Sequence, residues 1–279
     1  MFKRIFLTAT LCSTLLTACY DSNLVFEDQF RAVVEAYIYV DREVDHILLT
    51  SMIGFGNDSS GGEKVSNALL VLEQGEDSRT LAYNDSLGCY YLEESPRYSP
   101  GDTLKLTVRL DNETLLAKTV IPGNPPPVSI SSGSIYVPKV ENMMDFRDVE
   151  MPDPVELSWD NPEARYYFLN IQNIESNPVS IMPDPPDDRP FAQGGFPFQM
   201  ITKPTNDNHY SIDTRQLTHF GTHRIIMTSV NDEYVNLYNS LNQDSRELNE
   251  PYSNINNGLG IFTAFNSDTI FLEVVPVYQ

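Results

Sequence analysis

Val33-Val34-Glu35-Ala36-Tyr37-Ile38-Tyr39-Val40 is a run in which β-branched and aromatic residues dominate and apolar positions recur with a period of two. Successive side chains of a strand point to opposite faces, so this pattern predicts a β-strand with one buried face. Residues 46–53 have the same character, and Asp41 and Arg42 mark a turn between the two runs. The chain is therefore expected to begin its folded part with strands.

Five further short runs of this kind follow the first two, and turn signals separate them. They lie at residues 68–73, 80–83, 89–93, 103–110 and 115–121. Strands of this length and spacing are typical of an antiparallel β-sandwich of immunoglobulin-like architecture. The Cys…Trp…Cys signature of true immunoglobulin domains is absent, so only the architecture is implied. We predict an immunoglobulin-like β-sandwich over residues 30–122.

Most of the 19 prolines lie between residues 122 and 204, and the densest cluster includes Pro125-Pro126-Pro127. Consecutive prolines favour a stiff polyproline II connection. We therefore predict a linker at residues 123–127 and a domain boundary there.

A second set of strands is expected beyond the linker. The predicted strands lie at residues 128–137, 155–160, 166–174, 198–202, 210–212 and 223–230, and a final hairpin joins 260–265 to 269–278. Trp159, the only tryptophan, lies in a segment that resembles the first half of a fibronectin type III module, and residues 166–174 are its predicted hairpin partner. The sequence predicts an all-β chain of two consecutive antiparallel β-sandwich domains, the second fibronectin type III-like and spanning residues 128–279.

One short helix is predicted near residues 231–241, within the second sandwich. Asn231 is a suitable N-cap, and Tyr234, Leu237, Tyr238 and Leu241 recur at the spacing of one helical face. An aromatic stripe at this spacing more often packs into a core than binds a ligand.

The N-terminal residues 1–18 have the layout of a secretory signal, with Lys3 and Arg4 followed by an apolar run. That run of twelve residues is too short for a membrane span, which needs about 20. Leu16-Thr17-Ala18-Cys19 resembles the lipobox of bacterial lipoproteins, in which the cysteine is lipidated and becomes the new N-terminus. We expect lipidation at Cys19 and a tether over residues 19–29; an ordinary cleaved signal is the alternative.

The net charge of −21 limits the classes of partner. Nucleic acid and anionic headgroups both require a basic surface, so neither is an expected partner and a lipid on Cys19 would be the membrane attachment. Loss of the signal and lipidation of Cys19 would leave Cys89 as the only free thiol. With no basic residue or histidine near it in sequence, Cys89 is expected to be a small buried hydrophobe.

The segment from residue 182 to residue 198 combines carboxylates, prolines and aromatic residues. We treat it as a candidate ligand or partner loop, although a solvated loop is the simpler interpretation. Its carboxylates lack the spacing of a calcium loop. The candidate residues are Asp184, Asp187, Asp188, Phe191, Phe196 and Phe198.

His219 and His223 lie four residues apart, and His209 precedes them. On a helix this spacing would present two zinc ligands, but the segment has strand and turn character, which separates the two by roughly 13 Å. No nucleophile motif, phosphate loop or dinucleotide fingerprint occurs. The sequence therefore predicts no catalytic residue, no metal site and no cofactor.

The run Glu250-Pro251-Tyr252-Ser253-Asn254-Ile255-Asn256-Asn257-Gly258-Leu259-Gly260-Ile261-Phe262 resembles the C-terminal signature of domain-of-unknown-function family 4249, lipoproteins of the Bacteroidota. Residues 33–36 and 157–160 resemble strands of the same family. The resemblance implies an outer-membrane lipoprotein and a TonB-dependent transporter as partner, and it transfers no activity. Asn254, Gly258 and Gly260 form a turn motif that a structural turn explains as well as a ligand loop would.

Three functional hypotheses follow. The first is a non-enzymatic outer-membrane lipoprotein that handles an unidentified ligand for a TonB-dependent transporter. A surface hydrolase or metal-dependent enzyme, using the 184–188 carboxylates with the histidines, is the second, and a structural adhesin or assembly subunit is the third. Asp21, soon after Cys19, resembles the acidic export signal that sends some lipoproteins of the Bacteroidota to the cell surface, and this resemblance favours the cell surface over the periplasmic face without excluding the latter.

Overall fold

A computed structural model of the chain describes residues 32–51, 62–140, 149–182, 199–241 and 251–277. The strands up to the proline linker are β1 (Ala32–Tyr39), β2 (Ile47–Ser51), β3 (Leu69–Gln74), β4 (Asp77–Thr80), β5 (Ala82–Asn84), β6 (Cys89–Tyr91), β7 (Thr103–Leu110) and β8 (Glu113–Val120). The elements that follow are β9 (Ser129–Ile130), β10 (Ser134–Pro138), β11 (Val155–Ser158), β12 (Tyr166–Asn173), β13 (Gln199–Ile201), β14 (His209–Ile212), a 3₁₀ helix (Thr214–Gln216), β15 (Gly221–Val230), α1 (Asp232–Leu241) and β16 (Leu259–Val277). The predicted class, all-β with one short helix near residues 231–241, is confirmed.

The period-two pattern of β1 is a burial pattern. Val34, Ala36 and Ile38 are fully buried in a hydrophobic core, whereas Tyr37 and Tyr39 are half-buried on the opposite face. The strand thus forms where the sequence predicts it, because alternate side chains can be removed from water while their neighbours stay at the surface.

The strands form three sheets. The largest has the order β13-β12-β15-β16-β1-β2-β6-β5, with β10 paired to the far end of β16. A four-stranded sheet has the order β4-β3-β7-β8, and a three-stranded sheet has the order β14-β11-β9. Most pairings are antiparallel, but β16 runs parallel to both β1 and β10.

Strand β16 belongs to both halves of the molecule. Phe262 and Ala264, near its start, are buried in the core formed with the four-stranded sheet, whereas Leu272 and Val274 are buried in the core formed with the three-stranded sheet. All four are even-numbered residues of one strand, so they point to the same face. Both small sheets therefore cover the same side of the large sheet. The large sheet forms one layer of each of two neighbouring sandwiches.

The two cores are apolar, and β16 contributes to both. Leu70, Leu104 and Leu106 of the four-stranded sheet are buried in the core that β1, β2 and the start of β16 of the large sheet also line. In the second core, Trp159 is 5% exposed and packs edge-on against Tyr167, with ring centroids 6.4 Å apart. Trp159 is thus part of the core of the second sandwich.

Two predicted connections are wrong. Residues 260–265 and 269–278 do not form a hairpin, because β16 is continuous from Leu259 to Val277. Residues 166–174 are not the partner of 155–160, since β12 pairs with β13 and β15 while β11 pairs with β14 and β9 in another sheet. The division into domains at residues 30–122 and 128–279 stays a prediction. Because β16 contributes to both cores, two such units would share a strand.

Several predicted features lie outside the described residues. These are the signal at 1–18, the tether at 19–29 with Cys19, and the segment that carries Asp184, Asp187, Asp188, Phe191, Phe196 and Phe198. In the part of the chain that the structure describes, no helix has the length and apolar character needed to cross a bilayer.

Candidate functional site

The face of the large sheet that points away from both cores carries a cluster of aromatic side chains. We call it the outer face. Three strands of the large sheet contribute aromatic rings to it, and α1 lies against it. The aromatic residues are Tyr37 and Tyr39 of β1, Phe265 of β16, Tyr166 and Phe168 of β12 and Tyr234 of α1.

Phe265 is the centre of this aromatic cluster. Its ring centroid lies 5.9 Å from that of Tyr37 in a stacked arrangement, 5.1 Å from Tyr39, 6.0 Å from Phe168 and 5.0 Å from Tyr234. Phe265 is only 3% exposed, whereas the four rings around it are half-buried. Aromatic contacts at these distances are favourable, so the cluster presents a preformed apolar surface with four rings partly open to solvent.

The start of α1 fixes Tyr234 over the sheet. Asn231 precedes the helix as predicted for an N-cap, and its carbonyl accepts from the Tyr234 and Val235 amides. Its side-chain amide donates to the Val120 carbonyl at 2.7 Å. Glu233 accepts from the Thr119 hydroxyl at 2.5 Å. The helix is therefore tied to the end of β8, and this tie sets the position of the Tyr234 ring.

A cavity of about 330 Å³ opens above the aromatic cluster. Its remaining walls are Asn170 of β12, Ile201 of β13, Ile226 and Thr228 of β15, Ser267 of β16 and Arg42 of the turn after β1. The Arg42 guanidinium carbon lies 5.0 Å from the centre of the Tyr39 ring, which is a cation–π contact. The lining is thus aromatic and aliphatic, with a few hydroxyl and amide groups and one cation.

The electrostatics of this cavity favour binding over acid–base chemistry. Burial is the main cause that raises the pKa of Tyr37 to about 12, with the nearby Glu35 as a second cause. Burial also raises the pKa of Tyr39 and of Tyr234. The phenols are therefore protonated at neutral pH and can donate hydrogen bonds. Among the residues that the structure describes, those that line the cavity include no carboxylate, imidazole or thiol.

A second, larger concavity of about 780 Å³ lies where β8, the proline linker and the start of α1 meet. It carries charges of both signs, and several of them are already satisfied by neighbours. Glu163 accepts from Arg165 at 2.8 Å, and Glu233 is held by Thr119. Groups that are engaged within the protein have little capacity left for a ligand, so we regard the aromatic cavity as the better candidate site.

The three histidines do not meet at one site, although His219 lies close enough to His223 to contribute to lowering its pKa. His209 is exposed with a ring nitrogen 3.4 Å from Asn208, and His219 contacts the Thr218 hydroxyl at 2.8 Å. His223 is buried, with Nδ1 3.1 Å from the Gly221 carbonyl oxygen, and burial lowers its pKa. Among the described residues, no three His, Cys, Asp or Glu side chains are grouped so that they could hold a metal ion.

Cys89 is fully buried, as predicted, and burial raises the pKa of its thiol. A buried thiol with a raised pKa is a poor nucleophile at neutral pH. Cys89 is thus part of the packing and not of the candidate site.

The turn motif joins the segment before β16 to the rest of the fold. The Asn254 side chain accepts from the Phe262 amide at 2.9 Å and donates to the Phe262 carbonyl at 2.7 Å, which supplies both bonds of a missing ladder partner. Gly260 has φ +104°, and a Cβ there would lie within 1.9 Å of the Val34 carbonyl oxygen. Gly258 has no such φ, but a Cβ would meet Leu115. Close backbone approach between β1 and β16 therefore accounts for Gly260, and the Leu115 side chain of β8 accounts for Gly258.

The aromatic cavity was not predictable as a site from the sequence. Tyr37 and Tyr39 were visible as alternate residues of a strand, but their partners Phe168, Tyr234 and Phe265 are distant in sequence. The available signal was that both faces of β1 are apolar or aromatic, which is unusual for a strand with one solvated face.

Comparison with known proteins places the chain in a family. The family model described as "Domain of unknown function (DUF4249)" matches residues 21–270. Among solved structures, the crystal structure of chicken CNTN1 FN1-FN3 domains is similar over 87% of this chain and 66% of that chain, with 9% sequence identity and a TM-score of 0.17. No match was found among curated proteins.

Proposed function

We propose that this chain, which belongs to the domain-of-unknown-function family DUF4249, is a non-enzymatic binding lipoprotein of the outer membrane in Bacteroidota. In this proposal the aromatic cavity captures a small ligand, and the protein passes the ligand to a TonB-dependent transporter. Lipid on Cys19 attaches the protein to the membrane, with the folded part on the cell surface.

The observation that carries the binding role is the composition of the cavity. Five aromatic rings and one guanidinium surround a volume of about 330 Å³, and the described residues of the lining offer no pair of groups for proton transfer or nucleophilic attack. Ligand sites in proteins are concave, mostly apolar and furnished with a few placed polar groups. Catalysis needs titratable groups within hydrogen-bond reach of the reacting atoms. The composition therefore supports capture of a ligand rather than its conversion.

The membrane attachment is supported by the N-terminal sequence. Cys19 follows a short apolar segment and the lipobox-like Leu16-Thr17-Ala18. Two or more acyl chains anchor a protein stably where a single chain does not. Because the net charge is −21, electrostatic binding to anionic headgroups would be repulsive and is not an alternative anchor.

The Cys19→Ala variant tests the anchor. We expect the wild type in the outer-membrane fraction after a high-salt wash and the variant in the soluble fraction, since only the acylated residue is lost. Cys89→Ala is the matched control, and it should stay with the membrane. A Cys19→Ala protein that remains membrane-bound after the wash would contradict the lipoprotein assignment.

Co-purification tests the transporter partnership. Full-length tagged protein is recovered from mildly solubilised outer membranes after chemical cross-linking, and the recovered proteins are identified by mass spectrometry. We expect a TonB-dependent transporter to be enriched over an untagged control. Recovery of the tagged protein without any such transporter would contradict this part of the proposal.

A further inference from the structure

We infer that the aromatic cavity binds a small, flat, apolar molecule that carries one carboxylate, and that Arg42 holds this carboxylate. The inference rests on the proposed function, because it names the class of ligand that the same cavity would take. The shape and the charge of the cavity lining support this inference.

The volume sets the size of the ligand. Binding pockets for small molecules usually measure about 300–1,000 Å³, so a cavity of about 330 Å³ is at the lower end. A molecule of one or two fused rings fits such a volume, whereas a folded peptide or an oligosaccharide of several units does not. The ligand is therefore small.

The arrangement of the rings favours a flat molecule. Tyr37 and Phe265 are nearly parallel, with an interplanar angle of 9°, whereas Phe168 and Tyr234 stand nearly perpendicular or tilted to their neighbours. Stacked and edge-on contacts are the two favourable arrangements for aromatic rings. A planar ligand could stack on one half-buried ring and meet the edge of another, so the cluster provides both kinds of contact.

Arg42 is the only charged side chain among the described residues that line the cavity. In the described part of the chain its guanidinium is in contact with the face of Tyr39 and has no carboxylate partner. A guanidinium offers five donors in a planar fork that matches a carboxylate. In a protein with 39 acidic and 18 basic residues, an arginine that lies at the mouth of an apolar cavity and has no carboxylate partner among the described residues is well placed to select an anion.

Nearby acidic residues orient the ligand. Glu35 is exposed near Tyr37, and Asp41 is exposed beside Arg42; both are close enough to raise the pKa of the neighbouring tyrosine. Neither lines the cavity. Repulsion from Glu35 disfavours a carboxylate at the Tyr37 end, so we place the anionic group at Arg42, which follows Asp41 in the chain, and the apolar rings against Phe168 and Ile201.

The experiment compares two probes that differ in charge and are similar in shape. 2-Naphthoate carries a carboxylate, and 2-naphthalenemethanol is its neutral counterpart. Each is titrated by calorimetry into full-length protein in lipid nanodiscs, with empty nanodiscs as the blank. We expect 2-naphthoate to bind the wild type about tenfold more tightly, because hydrogen bonds to charged groups are stronger than neutral ones.

Three variants separate the contributions. Arg42→Gln should weaken the binding of 2-naphthoate about tenfold and change the affinity for 2-naphthalenemethanol by less than twofold. Arg109→Gln, at an exposed position of β7 in the four-stranded sheet, removes the same charge elsewhere and should change neither. Phe168→Ala should weaken the binding of both probes, since both lose their contact with the Phe168 ring.

The outcomes distinguish the inference from the proposed function. If the neutral probe binds as tightly as 2-naphthoate, or if Arg42→Gln leaves the preference unchanged, the inferred ligand class is wrong while the cavity remains a binding site. If neither probe binds the wild type, both the ligand class and the role of the cavity are overturned.

Discussion

Tyr37 is the residue at which the packing of the outer face has the clearest electrostatic consequence. Its hydroxyl belongs to a half-buried ring stacked on Phe265, and its pKa is raised to about 12 by burial and by Glu35. In the unfolded chain a tyrosine titrates near its ordinary value of about 10. Between these two values the folded state keeps a proton that the unfolded state has lost, so stability falls as the pH rises.

Tyr37→Phe should reduce this loss of stability. The contribution of Tyr37 is fully present below pH 10 and disappears as the pH approaches 12, because the phenol then ionises in the folded state as well. We expect the urea midpoint, followed by Trp159 fluorescence, to fall less between pH 9 and pH 11 in Tyr37→Phe than in the wild type. Tyr98, with a pKa also raised to about 12, retains its own effect.

Tyr136→Phe is the control for this measurement. Its side chain is 65% exposed, so its phenol is already solvated in the folded protein and the wild-type fall should persist. An equal fall in Tyr37→Phe and the wild type would contradict the packing described for β1.

The residues of the core were predictable from the sequence, whereas those of the cavity were not. Val34, Ala36 and Ile38 follow a local period of two, which any strand with one buried face must show. Arg42 was interpreted only as a turn residue, because its contact with Tyr39 depends on how the chain leaves β1. Local patterns specify which face of a strand is buried, but they do not specify which distant residues meet on the other face.

Strand β16 is the element that joins the two sandwiches, because it belongs to both. Its first half pairs in parallel with β1, and its second half pairs with β15 and β10. The predicted hairpin turn fell at residues 266–268, where polar side chains interrupt the apolar pattern. The structure explains this interruption, because the Asn266 side-chain amide donates to the Pro122 carbonyl at 3.2 Å and to Asn124 at 2.9 Å. Those polar residues mark the passage of a continuous strand from one core to the other.

The pairing of β16 with β1 predicts that the first sandwich does not fold alone. A fragment of residues 24–127 lacks Phe262 and Ala264, which are buried in the first core, and leaves the edge of β1 unpaired. Loss of such buried groups costs several kcal/mol, about 2–5 for each large side chain, which is comparable to the stability of a small domain. We expect the fragment to give an amide NMR spectrum with little dispersion.

The chain from residue 24 to residue 279 is the matched comparison and should give a dispersed spectrum. A folded, cooperatively melting 24–127 fragment would show that β16 is dispensable for the first sandwich. In that case the domain division at residues 123–127 would describe the molecule better than a shared sheet does.

At the scale of the whole molecule, the shared sheet determines where a binding site can form. Both small sheets cover one side, so the other side is left to α1 and the aromatic cluster. The all-β class and the position of the helix were predictable, since they depend on local periodicity. The cavity was not, because residues from β1, β12, β15 and β16 meet there only through a parallel pairing that joins the two ends of the chain.

The central claim is that a ligand binds on the outer face, above Phe265. The most direct test is a crystal structure of the protein soaked with 6-bromo-2-naphthoate, with data collected at the bromine absorption edge. The account predicts an anomalous bromine peak inside the cavity lined by Tyr39, Phe168 and Ile201, with the carboxylate density at Arg42. A peak only in another concavity, or no peak in a lattice that leaves the outer face open, would contradict it.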